Sequence, residues 1–292
     1  MLNDSTNETT GRGRTRRFLS SVFVTLLVVA LVWFVSRRLG ANLDEVSDRL
    51  TGASQPKLAV AFLTAAAGMT FIAIGWTDFL RRAGHTASLP TIVAWYYVGE
   101  ITKYLPGGLW AFVGRGELAA DEIGRRPAYR TVTHSLLIFF ALAALPSSVA
   151  VMLYVDWPLA LRLLAAVGLL AVYPAFVAIF GVDGRSLIVT TLTYSAAWLM
   201  VGLTTDIIAS AIGAEIALGQ AIVITAAAWI VGFGVFFVPG GIGIRESTFV
   251  FLTTDVLDQN DALAIAITAR IVFILADVAG AAVGAVAQRR RR

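Results

Sequence analysis

A twelve-residue pattern, V-G-x5-(L/V)-P-G-G-(L/I), occurs twice in this chain, at residues 98–109 and 231–242, and each copy interrupts sequence apolar enough to lie within a membrane. The first copy reads VGEITKYLPGGL and the second VGFGVFFVPGGI. Proline removes a helical N–H donor, and paired glycines adopt backbone angles closed to other residues, so each copy ends one helix and begins another. Paired helix breaks at corresponding places in two halves of an apolar chain point to a transporter's binding region.

Composition settles the class around those breaks. With 58% hydrophobic and only 14% charged residues, the 292-residue chain is far more apolar than a soluble domain and reads as a polytopic membrane protein. It has no cysteine, which excludes disulfides and thiolate metal sites, and two histidines, His85 and His134, do not by themselves make a metal centre. No cofactor is expected, and no nucleotide-binding loop is present. The pI near 9.7 comes from basic residues gathered at apolar segment ends and at both termini. That is the charge pattern of membrane topology and lipid-surface contact, not of nucleic-acid binding.

About 20 apolar residues are needed to cross a hydrocarbon core of ~30 Å. Six segments meet that length, at residues 18–35, 58–80, 131–155, 159–180, 187–212 and 262–287. The polar stretch 36–57 carries Asp44, Glu45 and Asp48 at helical spacing and reads as a short surface helix. Residues 18–35 are followed by Arg37 and Arg38 with no small-x-small cleavage site, so they read as a retained span. With six spans, the N-terminal arginines, Arg81, Arg82, Arg125, Arg126, Arg130, Arg185 and the terminal run 289–292 share one side, expected to be cytoplasmic. The opposing loops 156–158, 213–219 and 257–261 contain no Lys or Arg; Arg37, Arg38, Arg49 and Lys57 in the first outer loop are the exceptions. Both termini are then cytoplasmic, the sequons at Asn3 and Asn7 lie in a cytoplasmic tail, and the setting is a plasma (inner) membrane.

Two apolar stretches remain, 89–118 and 220–256, and these carry the repeated pattern. The first is flanked by expected cytoplasmic arginines and the second by expected outer loops, so they should dip in from opposite faces. The expected fold is an all-α polytopic membrane protein of six full spans plus two broken re-entrant helical hairpins. Residues 1–17 form a basic tail, 18–158 a first membrane repeat, 159–288 a second, and 289–292 a basic C-terminal tail. Each repeat holds three crossings, an odd number, so the second is inverted. A competing count makes 89–105 and 220–238 full crossings, giving up to eight spans with the turns near the membrane surfaces.

A helix starting after Pro106-Gly107-Gly108, and another after Pro239-Gly240-Gly241, would turn unpaired N–H groups and a positive dipole end toward an anion. Basic side chains stand nearby: Lys103 three residues before Pro106, Arg115 nine after it, and Arg245 six after Pro239. Glu246 adjoins Arg245 but cannot face it on a helix, so it needs Arg115, Lys103 or Arg270 as partner, or a proton. An ionisable group inside a bilayer costs a few kcal/mol and is a functional candidate by default. Glu100 and Lys103 also have the spacing of a plain intrahelical pair. Arg270 and Asp277, seven apart on one helix face, fit either a bundle-stabilising or a substrate-path role. Asp78 and Asp206 sit near span ends, where interfacial solvation explains them. Trp95, Tyr96, Tyr97, Tyr104, Trp110, Trp157 and Trp229 fit an interfacial aromatic belt. Of these, Trp110 is also a candidate lipid contact.

Two segments carry a resemblance: Lys103-Tyr104-Leu105-Pro106-Gly107-Gly108-Leu109-Trp110 with Gly114-Arg115, and Val238-Pro239-Gly240-Gly241-Ile242-Gly243-Ile244-Arg245-Glu246. They resemble the signature segments of the lysylphosphatidylglycerol synthase transmembrane-region family, which is similar to the flippase half of the multiple peptide resistance factor. The resemblance covers nearly all of the chain. In such proteins lysyl transfer resides in a separate soluble domain, and the chain ends at Arg292 without one, so no synthase activity is expected. What the resemblance implies is lipid translocation, with an anionic or phosphate-bearing membrane lipid as the partner. The residues alone leave two other readings: a scaffold or accessory subunit of an envelope-biosynthesis glycosyltransferase, and a membrane lipid transferase, for which no nucleophile with a neighbouring base is discernible.

Overall fold

The computed structural model describes residues 43–104, 110–154, 158–180, 187–235 and 238–289, and among these every regular element is a helix. The expected span 18–35, the N-terminal tail, residues 290–292 of the C-terminal tail, the first Pro106-Gly107-Gly108 turn, Trp157 and Arg185 lie outside the described residues.

Helix α1, Leu43–Thr51, is the short surface helix expected in the polar loop. Asp44 and Glu45 occupy its first turn and Arg49 its last, the arrangement that complements a helix dipole. It buries Val46 beneath it.

Helices α2, Gln55–Arg82, and α8, Leu187–Ile212, form the central pair. They run antiparallel: Lys57 Nζ donates to Ser210 O at 2.9 Å, Thr64 and Thr204 hydroxyls share a hydrogen bond of 2.9 Å, and Thr190 Oγ1 donates to Asp78 Oδ2 at 3.0 Å. In lipid there is little hydrophobic drive between helices, so small residues and polar cross-links supply the adhesion. Both are present: Ala61, Ala65 and Ala73 are fully buried, and Gly75 leaves the notch in which the Tyr194 ring lies.

Helix α3, Leu89–Ile101, passes into a 3-10 turn, Thr102–Tyr104, and α4 follows at Trp110–Ile123. Helix α5, Arg125–Leu142, continues with a bend at Ala143 into α6, Ala144–Tyr154. Pro146 explains the bend, because it has no N–H to donate to the carbonyl of Leu142. The helical run therefore begins at Arg125 rather than at residue 131; Arg125, Arg126 and Arg130 are part of it instead of a preceding loop. The core beside it is aromatic: Trp198 stacks on Phe139 at 4.5 Å and donates to its carbonyl at 2.8 Å, and Tyr194 hydrogen-bonds Ser135 at 2.6 Å.

Helix α7, Leu159–Phe180, lies on the outside with Leu161, Leu164 and Val167 exposed. Helix α9, Leu218–Gly234, leads to the 3-10 turn Pro239–Gly241 and α10, Ile244–Leu252. The chain closes on α11, Gln259–Arg289. Among the described residues, five helical stretches are long and apolar enough to cross a membrane: α2, the α5–α6 run, α7, α8 and α11. The described residues thus form an all-helical protein built of membrane-grade helices, and the segments carrying the repeated pattern are shorter, at 13 and 14 residues for α3 and α4, and 17 and 9 for α9 and α10.

Each end of the bundle is tied. At one, Arg49 Nε meets Asp261 at 3.1 Å, Asn260 donates to Glu45 at 2.9 Å, and the Ser54 N–H donates to Ala211 O at 2.8 Å. At the other, His85 Nε2 faces Glu122 at 3.0 Å, while its Nδ1 accepts the Ala87 N–H at 2.7 Å.

Candidate functional site

The two interrupted segments meet in the middle of the bundle. Gly240, in the second turn, lies so close to the end of the first segment that an added Cβ would stand 3.7 Å from Lys103 O and 2.7 Å from Arg270 Nη2. Gly240, Gly241 and Gly243 have φ of 55°, 67° and 79°, the left-handed region that side chains resist. Gly241 is constrained twice, since its Cβ would also stand 2.8 Å from the carbonyl oxygen of Gly232. The turn needs glycine for its angles and for its proximity to α9.

The valine-glycine opening of each pattern also acquires a purpose. A Cβ on Gly99 would overlap Cγ of Arg115, and one on Gly232 would overlap Cγ of Arg245. Each glycine thus seats the stem of the arginine that comes back on the returning helix. One turn before each glycine stands the ring beneath that arginine: the Arg115 guanidinium lies 5.4 Å from the Tyr96 centroid, and that of Arg245 lies 4.5 Å from Trp229. Such stacking favours a desolvated cation.

Eight ionisable side chains gather here. Lys103 Nζ sits between Glu100 Oε2 at 2.9 Å and Asp277 Oδ2 at 2.7 Å. Tyr104 donates its hydroxyl to the same Asp277 oxygen at 2.7 Å. Arg115 approaches Glu100 at 3.5 Å. Arg270 Nη1 donates to Gly240 O at 2.8 Å, and its Nε lies 4.0 Å from Glu246, too far for a hydrogen bond. Asp277 is fully buried, and Glu100, Arg115, Glu246 and Arg270 nearly so. Of the partners open to Glu246, the fold supplies Arg270. Glu100 forms the intrahelical pair with Lys103 that its spacing allows, and it also reaches Arg115.

Arg245 is the exception. Among the described residues it pairs with no carboxylate, and its Nε is buried without a hydrogen-bond partner. Nε and Nη2 of Arg270 and Oδ1 of Asp277 are likewise buried and unbonded.

Two cavities flank this cluster. One, of about 50 Å³, lies among α8, α9, α10 and α11 and is faced by Thr205, Thr225, Phe249 and Arg270. The other, of about 80 Å³, lies among α2, α3, α4, α5 and α9 and is faced by Tyr96, Glu100, Arg115 and Phe140. Lys103, Trp229 and Arg245 line both and form the wall between them.

Two expectations are corrected. At the first turn of α10 the amides are not all bare, because Glu246 Oε2 accepts the Gly243 N–H at 2.7 Å and places its own negative charge at the dipole's positive end. Trp95, Tyr96, Tyr97 and Tyr104 are buried among helices rather than placed in an interfacial belt, since their rings fill space between α3 and its neighbours. Trp110 is 46% exposed at the start of α4 and faces neither cavity. Lys103, Arg115, Gly240, Gly241, Arg245, Glu246, Glu100, Arg270 and Asp277 come together, Pro239 lies in the turn beside them, and Pro106, Gly107 and Gly108 are outside the described residues.

Tyr96, Tyr104 and Trp229 join the site without having been singled out for it. A signal for two of them exists: the repeat extends upstream as Ala94-x-Tyr96-x-Val98-Gly99 and Ala227-x-Trp229-x-Val231-Gly232. Compared with known proteins, the chain matches no protein-family model and no curated protein.

Proposed function

We propose that the chain is an integral membrane transporter that moves an anionic phospholipid or a polyprenyl-phosphate-linked lipid between leaflets by alternating access. The observation that carries this reading is the shared wall of Lys103, Trp229 and Arg245, with a cavity on either side and a cation in it that, among the described residues, forms no ion pair with a carboxylate. A buried charge of that kind costs several kcal/mol unless something pairs with it, and a purely structural cluster would be expected to pair off completely. The scaffold reading lacks a use for both the free guanidinium and the cavities.

The same proposal includes six crossings, two re-entrant hairpins and an inverted repeat, in an inner membrane with both termini cytoplasmic. It is supported by the correspondence of neighbours: α2 packs on α3 as α8 does on α9, α3 on α4 as α9 on α10, and α3 on α11 as α9 on α6. The 13-residue length of α3, short of a full crossing, also favours it over eight spans. The resemblance of the two signature segments to the lysylphosphatidylglycerol synthase transmembrane-region family agrees with translocation as the activity.

In this scheme Lys103, Arg115 and Arg245 receive the headgroup phosphate and Glu246 balances charge as the wall opens to one side and then the other. Proteoliposomes carrying the protein and labelled anionic lipid should show transfer between leaflets that Arg245→Ala abolishes. Transfer equal in the variant and the parent would remove Arg245 from the path, and none from either would remove the activity.

A further inference from the structure

The three buried carboxylates of the cluster differ in what they would keep if Lys103 were drawn away. Glu100 keeps Arg115 at 3.5 Å, and Glu246 keeps the Gly243 N–H at 2.7 Å and Arg270 at 4.0 Å. Asp277 keeps no cation. Among the described residues Lys103 is the one basic group within ion-pair distance of it, with Lys103 Nζ and the Tyr104 hydroxyl both 2.7 Å from Oδ2, while Oδ1 is buried without a partner. The lysine side chain is 16% exposed and lines both cavities, whereas that of Asp277 is 0% exposed and lines neither. Lys103 can therefore turn toward a cavity, and Asp277 cannot follow. An anion received by Lys103 competes for it with this carboxylate, and a buried carboxylate stripped of its cation escapes a cost of several kcal/mol by taking up a proton.

We propose that Asp277 is a proton site, filled when an anion takes Lys103, and that the protein carries one proton across the membrane with each anionic lipid. This rests on the transport reading and names its coupling ion. The two charges cancel, so the cargo crosses without net charge. Tyr104 supplies the route, because it lines the first cavity and its hydroxyl donates to Asp277 Oδ2. That cavity, about 50 Å³ and bordered by Thr205, Thr225 and Glu246, is large and polar enough for water, which needs roughly 10–15 Å³. In one concerted step the Tyr104 O–H bond breaks as its proton passes to Oδ2, and the phenol is restored with a proton from a hydronium ion in the cavity, which leaves as water. The products are a neutral aspartic acid and a neutral tyrosine. The other titratable groups around Asp277 are Glu100, Tyr96 and Tyr97 on α3, and Arg270 two turns before it on α11. Of the elements packed on α11, α10 brings Glu246, which faces Arg270, and α8 brings Tyr194, which bonds Ser135. Helix α2 has no ionisable residue between Lys57 and Asp78, Asp206 of α8 lies beside Lys57, and α1 meets the first turn of α11 through Glu45 and Arg49.

The test uses proteoliposomes of the full-length protein with labelled phosphatidylglycerol and a pH dye in the lumen. This probe has no second proton to lose, unlike a phosphomonoester, whose second pKa is about 6. A pH gradient, acid outside, should drive labelled lipid to the inner leaflet and acidify the lumen, shifting the leaflet ratio about tenfold per pH unit for one proton per lipid. A potassium diffusion potential without a pH gradient should not move it. Transfer that follows the potential, or neither force, overturns the proposal. Asp277→Asn should lose the response to the pH gradient and gain one to the potential, which a merely structural role would not produce; a response to the pH gradient kept by this variant overturns the assignment. Where that variant does not fold, calorimetry of the parent decides: phosphatidylglycerol binding in two buffers of different ionisation enthalpy should report one proton taken up per lipid. Binding should also tighten as pH falls, because the bound form holds the extra proton. No uptake, or no binding, overturns the proposal. Tyr104→Phe should keep the stoichiometry and slow lumenal acidification, and an unchanged rate removes Tyr104 from the route. Proton uptake on binding without leaflet transfer would defeat the transport reading alone, and transfer driven by the potential would defeat this inference alone.

Discussion

Gly99 and Gly232 show how a residue without a side chain sets the position of a charge. Each leaves room for the stem of an arginine on the returning helix, with an aromatic ring one turn away beneath the guanidinium. Gly232→Ala and Gly99→Ala should each cost about 1–3 kcal/mol, the usual penalty of overpacking, because the methyl group meets Cγ near the backbone and not a mobile side-chain end. Thermal unfolding in detergent would measure it, and an unchanged midpoint in both would contradict the packing. Asp277 has the opposite problem. It is fully buried, and it holds Lys103 and Tyr104 on the far side of the sequence. Removing one partner of such a pair typically costs about 3–5 kcal/mol, so Asp277→Asn should be strongly destabilising. Lys103→Met combined with Asp277→Leu should recover much of the loss, and a double-mutant cycle by denaturant unfolding gives the coupling.

Among the elements, α10 is the most dependent on its own first turn. Nine residues are too few for a stable isolated helix, and Glu246 both accepts the Gly243 N–H and opposes the dipole. Glu246→Ala should weaken the helix start by about 0.5–2 kcal/mol, while Glu246→Gln should not. Amide hydrogen exchange at residues 243–247 would report the difference, and equal protection in the two variants would count against the cap. That a helix starts after Pro239-Gly240-Gly241 could be read from the sequence, because glycine and proline act locally. That the Gly243 amide is engaged could not, since it depends on the rotamer Glu246 adopts once Arg270 stands opposite.

For the molecule as a whole, the two tied ends give a direct test of orientation. The chain has no cysteine, so each one introduced is a unique reporter. Thr51→Cys and Asp258→Cys lie at the α1 end, and Asp121→Cys and Arg126→Cys at the His85–Glu122 end, all at exposed positions. A membrane-impermeant thiol reagent should label the first two in intact cells and the second two only after permeabilisation. Labelling of all four from one face would contradict the proposed topology.

Hydropathy and breaker residues are properties of a few neighbours in the chain, and so the helical membrane class, five of the long apolar segments, the second helix break and most of the charged candidates could be named without coordinates. The pairing of Tyr104 with Asp277 spans 173 positions and depends on how each helix is rotated. Sequence carries little information about rotation in such a protein, because the lipid-facing and the inward-facing sides of a membrane helix are equally apolar. Only the packed structure, in which small residues let α2 and α8 close on one another and bring the two broken segments together, decides which charges neutralise each other and which one is left over.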